Sequence, residues 1–404
     1  MKGPYTPMKK LAPVTEQFQH FVKDLQESFW GDVYGKTKQF WKQILEEDSE
    51  ASMARYLGLS LYERGSEEKP RQDSRNGWYE RDYSTLLGTI RLRLRRTRKR
   101  TFLPKGLVAL QRRSPELAVL IREAFLRGIS TRQVGKVVAL LTDEPVSAQT
   151  VSKLTRCLDE QVRRFHTVRL EDEWAYLFLD GVWLKVRQAT GSKRVLLLVV
   201  YGVKGDGRRQ LIAFMRAKSE SQNGWEGLLN DLKERGLTGR QLQLIVTDGC
   251  AGLAAALETV YPRVLHQRCW VHKMRNILEQ VRRRDYAAVK QMAQAIYLAD
   301  NRRKAQKAFQ QFRLRWHREY ASMVRHLEKD LPELLNFFSA PKPLWKKVRT
   351  TNVIERCFVE VRRRTRPMVT FVNIKSVDRI IFAIFNRFNQ EWKNHTLKLF
   401  THAA

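Results

Sequence analysis

The chain has 404 residues, 43% of them hydrophobic, and Lys plus Arg outnumber Asp plus Glu by 75 to 42, for a formal charge of +33. Single cores stop growing at roughly 250–300 residues, so this length implies more than one domain, and the positive excess implies a polyanionic partner. A membrane is excluded as that partner by the apolar runs, because the longest, "VLLLVVYGV" from Val195 to Val203, is about half of the roughly 20 residues a spanning helix needs.

The first thirty residues hold no signal-like apolar core. Cys157, Cys250, Cys269 and Cys357 lie far apart and lack the spacing of a secreted disulfide framework. A soluble protein of a reducing, intracellular compartment is expected.

From Val14 to Leu59, "FQHFVKDLQESFW" and "FWKQILEEDSEASMARYL" repeat apolar residues at three- and four-residue intervals and predict helices, suited to a small bundle or a dimer contact. Glu63 to Asn76, nearly free of apolar residues, reads as a linker. In "GTIRLRLRRTRKRTFLPKG", Ile90, Leu92 and Leu94 alternate with Arg91, Arg93 and Arg95, which predicts a strand with one cationic face, followed by an arm bearing Arg98, Lys99 and Arg100. The run is either a solvated surface strand or a phosphate-contacting one, and the overall charge favours phosphate.

Three helical segments follow: "PELAVLIREAFLRG", "STRQVGKVVALL" and "SAQTVSKLTRCLDEQVRRF". Gly128 stops the first, Ser130 or Thr131 caps the second, and Ser147 caps the third after a break at "TDEP". The order is that of a helix-turn-helix region, or of three short packed helices without a nucleic-acid role. In the first case the third helix presents Gln149, Thr150, Lys153 and Arg156 to base edges and phosphates.

After Glu173 the periodicity becomes that of strands. "AYLFLDGVWLKVRQ", "KRVLLLVVYGVK" and "RRQLIAFMRAK" predict an antiparallel meander, then "SQNGWEGLLNDLKERG" a helix and "RQLQLIVTDG" a buried strand. Three antiparallel strands, a crossover helix and a further strand make an α/β arrangement of the ribonuclease-H-like type.

Two of these strands run into Asp-Gly pairs. Asp180-Gly181 is a hairpin-turn signal in isolation, yet a polar turn already exists at Asp206-Gly207, and Asp180 interrupts the large side chains Tyr176, Phe178, Val182 and Trp183. A carboxylate there is half buried and costly without a partner. Asp248 is either the N-cap of the next helix or a site residue at the carboxyl end of a strand. Brought together, the two repel unless a cation lies between them, and such oxygen donors suit Mg²⁺ or Mn²⁺, two of which clamp the attacking and leaving oxygens of an in-line phosphoryl transfer. Glu355, in "VRTTNVIERCFVEVRRRTRP", is the third-acid candidate, with Glu360 as its alternative; Asn352-x-x-Glu355 also fits a capping box. Arg349, Arg356, Arg362, Arg363, Arg364 and Arg366 surround it in sequence, as expected beside a DNA backbone.

"LDG" at Leu179, "VTDG" at Val246, "QRCWVHKMRN" at Gln267 and "TTNVIER" at Thr350 resemble, in that order, the motifs of mutator-type DDE transposases of bacterial insertion sequences. The resemblance runs from about Gly88 to Trp392; the last two motifs are specific, whereas the Asp-Gly pairs alone are not. It implies that Asp180, Asp248 and Glu355 are catalytic and hold Mg²⁺ or Mn²⁺. It further implies terminal-inverted-repeat recognition by the N-terminal part, nicking by water, strand transfer by a 3′-hydroxyl, a circular DNA intermediate, a homodimer and a bacterial, nucleoid-associated setting. The stretch from about Asn276 to Leu344 looks like the family's all-helical insertion.

The expected order is a helical region and linker (1–76), a basic strand with the helix-turn-helix (77–170), and the catalytic domain in two parts (171–275 and 345–404) around the insertion (276–344). The resemblance also places Cys269, Trp270 and His272 on a Cys-x-x-His signature. His266, Cys269 and His272 lack the paired grammar of structural zinc, and Trp270 is either a core residue or a stacking platform for an unpaired base. A transposase-derived regulator without activity and a ribonuclease-H-like nuclease or resolvase are the alternatives. The three acids argue against the first, and the helix-turn-helix region and insertion against the second.

Overall fold

The computed structural model describes residue 23 and residues 29–60, 62–66, 73–102, 104, 112–127, 129, 131–142, 145–188, 191–365 and 374–397. They form two compact units divided between Arg156 and Cys157. Among the described residues no helix is long and apolar enough to cross a membrane.

In the first unit a long helix, α1 (Phe29–Leu57), accompanies a two-stranded antiparallel sheet of β1 (Arg75–Thr85) and β2 (Gly88–Thr97). The alternation in β2 holds. Ile90, Leu92 and Leu94 are buried against Leu45, Tyr79 and Tyr83, while Arg91 and Arg93 are exposed. The sequence reading missed β1 and ran the linker to Asn76, because Trp78, Tyr79 and Tyr83 alternate poorly and most of the strand is only half covered. The expected helix before Phe29 lies outside the described residues, residue 23 excepted.

Three helices complete this unit: α2 (Pro115–Leu126), α3 (Thr131–Thr142) and α4 (Ala148–Thr155). Ser114 Oγ accepts from Leu117 N–H at 3.3 Å and Ser147 Oγ from Thr150 N–H at 3.2 Å, so side-chain oxygens satisfy the first free amides of α2 and α4. Gly135 sits inside α3 because a Cβ there would lie 2.2 Å from the Val146 carbonyl oxygen. Gly128, Ser130 and the middle two residues of "TDEP", Asp143 and Glu144, are outside the described residues.

The segment read as one helix from Ser147 to Phe165 is two, with turns at Arg156 and Cys157 before α5 (Leu158–Thr167). The end of α4 is marked by Thr155 Oγ1, which donates back to Ser152 O at 2.9 Å. In the second unit α5 is held by its own contacts, Phe165 stacking on Phe214 at 5.6 Å and Asp159 pairing with Arg379.

The second unit is built on a five-stranded sheet, β3 (Trp174–Gln188), β4 (Gly191–Lys204), β5 (Arg209–Ala217), β6 (Leu244–Thr247) and β7 (Leu265–Arg268), in the order β5-β4-β3-β6-β7. The meander β3-β4-β5 is antiparallel, turning at Asp206-Gly207, where Gly207 has φ +82°; β6 and β7 then add parallel to β3. Parallel addition requires crossovers, which α6 (Gln222–Glu234) and α7 (Ala251–Val260) supply. Their Trp225, Leu228, Leu229, Leu232, Leu253 and Leu257 pack on Leu177, Leu179, Leu196 and Leu198 of the sheet. Aromatic contacts cover the other face, Phe214 with Phe385 and Tyr201 with Trp392, both at 5.5 Å, from α14 (Ile374–Trp392). Beside it α13 (Asn352–Thr365) packs across β3. Beyond β7 the chain is helical through α8 (Trp270–Glu279), α9 (Tyr286–Tyr297), α10 (Arg302–Trp316), α11 (Ala321–Leu334) and α12 (Trp345–Val348), with short 3₁₀ turns between.

Candidate active site

The last rung between β3 and β6 is Leu179 with Thr247, and the last between β6 and β7 is Thr247 with Arg268. Asp180, Asp248 and Cys269 therefore stand one residue beyond the same row, on three neighbouring strands spaced about 4.8 Å apart. Asp180 is no turn: β3 continues through it, paired with Val199 of β4. Asp248 is no helix cap either, because Cys250 occupies that position in α7; Asp248 Oδ1 instead accepts from Cys250 N–H at 2.9 Å and shapes the turn.

Glu355 reaches the same place from the first turn of α13. Its Oε1 accepts from Thr351 Oγ1 at 3.3 Å and lies 3.6 Å from His272 Nε2. Thr351, fully buried, is the hub of this corner. Its N–H and hydroxyl approach Cys269 Sγ at 3.3 and 3.4 Å, and its hydroxyl lies 3.5 Å from His272 Nδ1. Trp270 N–H donates to Arg349 O at 3.0 Å. The Cys-x-x-His stretch thus clips the start of the Glu355 helix to the end of β7.

The electrostatics follow from that geometry. Asp180 is 7% exposed, and its carboxyl is pushed up to about 7, first by burial and next by the charge of Asp248, with His272 pulling the other way and Glu355 adding to the rise. Neighbouring carboxylates resist ionising together unless positive charge is supplied. His272 is raised to about 9, chiefly by its hydrogen bond with Cys269. Burial works to raise the Cys269 thiol, but the bonds from His272 and Thr351 outweigh it and the net shift is downward. The donors available to a cation are carboxylate oxygens, the set hard divalent ions take. Among the described residues no three His, Cys, Asp or Glu side chains already form a closed ligand set; Mg²⁺ keeps several waters and needs only one or two carboxylates.

Glu360 sits elsewhere on α13, bound to Arg364 at 2.7 Å beside a cavity of about 330 Å³ lined also by Arg356, Ile384 and Phe388. Of the basic residues expected around Glu355, Arg356, Arg362 and Arg363 are exposed. Arg349 turns away to Tyr297, whose carbonyl it bonds at 2.8 Å and whose ring it overlies at 4.8 Å. Arg366 and Pro367 lie outside the described residues.

In the first unit, Gln149, Lys153, Arg156, Arg98, Lys99 and Arg100 are exposed, and the Thr150 hydroxyl is 3.0 Å from that of Ser147. The strand arginines are engaged within the unit. Arg91 pairs with Asp82 at 3.2 Å, and Arg95 pairs with Glu50 at 2.7 Å while lying 3.5 Å over Trp78, whose ring Arg93 also approaches at 5.2 Å.

The helices after β7 dock through buried polar contacts. Trp270 is 1% exposed, and its indole N–H donates to Leu334 O at 2.7 Å, so of its two sequence readings it takes the core one. Lys273 Nζ donates to Asp330 at 2.6 Å, and Phe337 N–H to Gln267 Oε1 at 2.6 Å. His266 bonds Thr247 Oγ1 at 2.7 Å and Glu333 at 3.2 Å, apart from the Cys269 cluster. Burial works to raise the Glu333 carboxyl, but His266 and Arg268 hold it down at about 2. Sequence reasoning did not single out Thr351 as a site residue, since nothing local to it signals what folding brings to it.

The family model described as "Transposase, Mutator family" matches residues 15–395. The transposase for insertion sequence element ISRM5 of Rhizobium meliloti (strain 1021) is 32% identical over 87% of this chain and 87% of its own. That for IS905 of Lactococcus lactis subsp. lactis (strain IL1403) is 30% identical over 84% and 85%. Among solved structures, a chain of a Drosophila P element transposase strand transfer complex aligns at TM-score 0.29 and 12% identity, over 71% of this chain and 89% of that one, too remote to support an inference. With nearly its whole length matched, this chain belongs to the mutator family of transposases.

Proposed function

We propose that this chain is a DDE transposase that binds the terminal inverted repeats of its insertion sequence and carries out divalent-metal-dependent strand cleavage and strand transfer through Asp180, Asp248 and Glu355. The observation that carries the reading is the register: Asp180 and Asp248 directly follow the last shared rung of two parallel strands, and Glu355 is pinned close enough to act on Asp180. The sheet order, with a helical segment between β7 and α13, supports a ribonuclease-H-like catalytic domain with an all-helical insertion.

In this reading the three carboxylates hold Mg²⁺ or Mn²⁺, one or two ions, whose chemistry is to activate the attacking oxygen and stabilise the leaving one. The chain's own residues do the rest. Thr351, Cys269 and His272 fix the start of α13 so that Glu355 faces Asp180, and the cationic His272 offsets part of the carboxylate charge. The second, α3-to-α4 part of the helix-turn-helix offers Gln149, Lys153 and Arg156 to bases and phosphates. Arg98, Lys99 and Arg100 offer positive charge to the backbone. A homodimer and a circular DNA intermediate complete the proposal. It is tested by incubating the purified chain with DNA bearing its own element's ends: nicking and strand transfer are expected with Mg²⁺ and absent with EDTA, and equal cleavage in EDTA would overturn it.

A further inference from the structure

The two Asp-Gly pairs look alike in the sequence, but their glycines serve different needs. Gly249 has φ +90°, a left-handed conformation that side chains rarely adopt. Gly181 lies within the regular pairing of β3, opposite Leu198, and is not among the residues of positive φ. Its requirement is space. A Cβ at Gly181 would sit 2.8 Å from Oε1 and 3.3 Å from Cδ of Glu220. Successive strand residues point to opposite faces, so the missing side chain beside Asp180 opens a window on the α6 side of the sheet, and the Glu220 carboxylate fills it.

A second contact holds Glu220 from the other acid's loop. Cys250 Sγ lies 3.5 Å from the Glu220 carbonyl oxygen. A Cβ at Gly252 would lie 2.6 Å from that same oxygen and 2.9 Å from Gln222 N. The segment that carries Glu220 is thus clasped between the residue after Asp180 and the turn after Asp248. Ser221 then caps α6, its Oγ accepting from Gly224 N–H at 3.3 Å, which fixes the direction in which the chain leaves. Burial and the charge of Asp248 both act on the half-buried Glu220 carboxyl, and His272 acts in the opposite sense, so it shares the field of the site.

We propose that Glu220 is a fourth carboxylate of the active site, a positioning residue that sets the site's affinity for divalent cations, and that Gly181 is glycine to admit it. The inference rests on the metal-dependent reading above. A carboxylate held in the field of Asp248 weakens the cation-free protein through repulsion and strengthens it toward a dication. A purely structural acid would do neither.

The test is calorimetric titration of Mn²⁺ into the full chain without DNA, comparing wild type, Glu220→Gln, Glu220→Asp and Asp180→Asn, with melting of each protein in EDTA. Glu220→Gln is expected to bind Mn²⁺ roughly ten- to a hundred-fold more weakly while melting in EDTA no lower than wild type; Glu220→Asp, which keeps the charge, falls between. Gly181→Ala, which displaces the carboxylate without removing it, is expected to weaken Mn²⁺ binding as well and serves if Glu220→Gln does not fold. Unchanged Mn²⁺ affinity in the folded Glu220 and Gly181 variants, with Asp180→Asn impaired, overturns the role of Glu220 and leaves the metal-dependent reading standing. Wild type that binds no Mn²⁺, or Asp180→Asn that binds it normally, overturns both.

Discussion

The acidic strand ends of the second unit and the basic strand of the first handle charge in opposite ways. At Asp180 a carboxylate is buried in an apolar run among other carboxylates, where its ionisation is resisted. Along β2 the arginines are abundant and largely exposed, yet Arg91 and Arg95 are paired with Asp82 and Glu50. A tally of charge therefore overstates what β2 offers a polyanion, whereas one misplaced acid marks the site. A buried group in an unfavourable place requires a reason; an exposed charge does not.

Substitutions at seven positions sharpen this contrast, taken in decreasing order of expected effect. Glu355→Gln should lower cleavage of element-end DNA by about 10³-fold or more, as loss of a carboxylate that holds the reacting geometry does. Glu360→Gln, which loses only its pairing with Arg364, should stay within a few-fold of wild type. Equal losses in a gel cleavage assay would mean that the clip does not select the third acid.

Trp270→Ala removes a ring that is 1% exposed and packed at a tilt against Tyr297, 5.0 Å between centroids, and should cost about 3–5 kcal/mol in denaturant unfolding. No recovery of activity is expected on substrates mismatched at the cleavage site. Recovery by mismatches would restore the base-stacking role.

Glu333 carries a depressed carboxyl, about 2 against an ordinary 4.5, so its stabilisation is complete above about pH 4.5 and is lost as pH falls towards 2. Glu333→Gln should cost on the order of 2 kcal/mol at pH 6 after allowance for partial solvent screening. The gap between the two proteins' melting temperatures should narrow as pH falls below about 4.5 and close only near pH 2, and a constant gap would show that its pairing with His266 and Arg268 does not titrate.

The smallest effects belong to the basic residues of the first unit. Arg95→Gln should cost under about 1 kcal/mol of stability and leave DNA affinity nearly unchanged, because Arg95 is committed to Glu50 and Trp78. Lys153→Gln, on the exposed face of α4, should reduce preference for the terminal repeat over random duplex, whereas Arg98→Gln should weaken both alike and lower the salt slope by about 1. Equal losses on both DNAs for Lys153 and Arg98 would remove α4 from base reading.

What was legible in the sequence follows the same division. Strict alternation at Ile90, Leu92 and Leu94, and the apolar strands that run up to Asp180 and Asp248, reflect burial that each residue's own type reports. The strand β1 was hidden because its half-covered aromatics break the alternation. The break at Arg156–Cys157 was hidden because apolar spacing continues across it, and it is the contacts of Phe165 with Phe214 and Phe382 and of Asp159 with Arg379 that show α5 belongs with the second unit. Thr351 and Glu220 were hidden for a third reason. Their roles are long-range, since Thr351 meets Cys269 across 82 residues and Glu220 meets Gly181 through a space that only the folded strand defines.

The central claim is that Asp180, Asp248 and Glu355 act as one catalytic site distinct from the surfaces that bind DNA. Its most direct measurement is cleavage and binding of the same element-end duplex in Mg²⁺ by wild type, Asp180→Asn and Asp248→Asn. Each substitution removes a charge without changing size. Cleavage is expected to fall by about 10³-fold or more in both variants while end binding stays within about two-fold of wild type, since affinity comes from the basic surface. Cleavage within ten-fold of wild type in either folded variant would contradict the account.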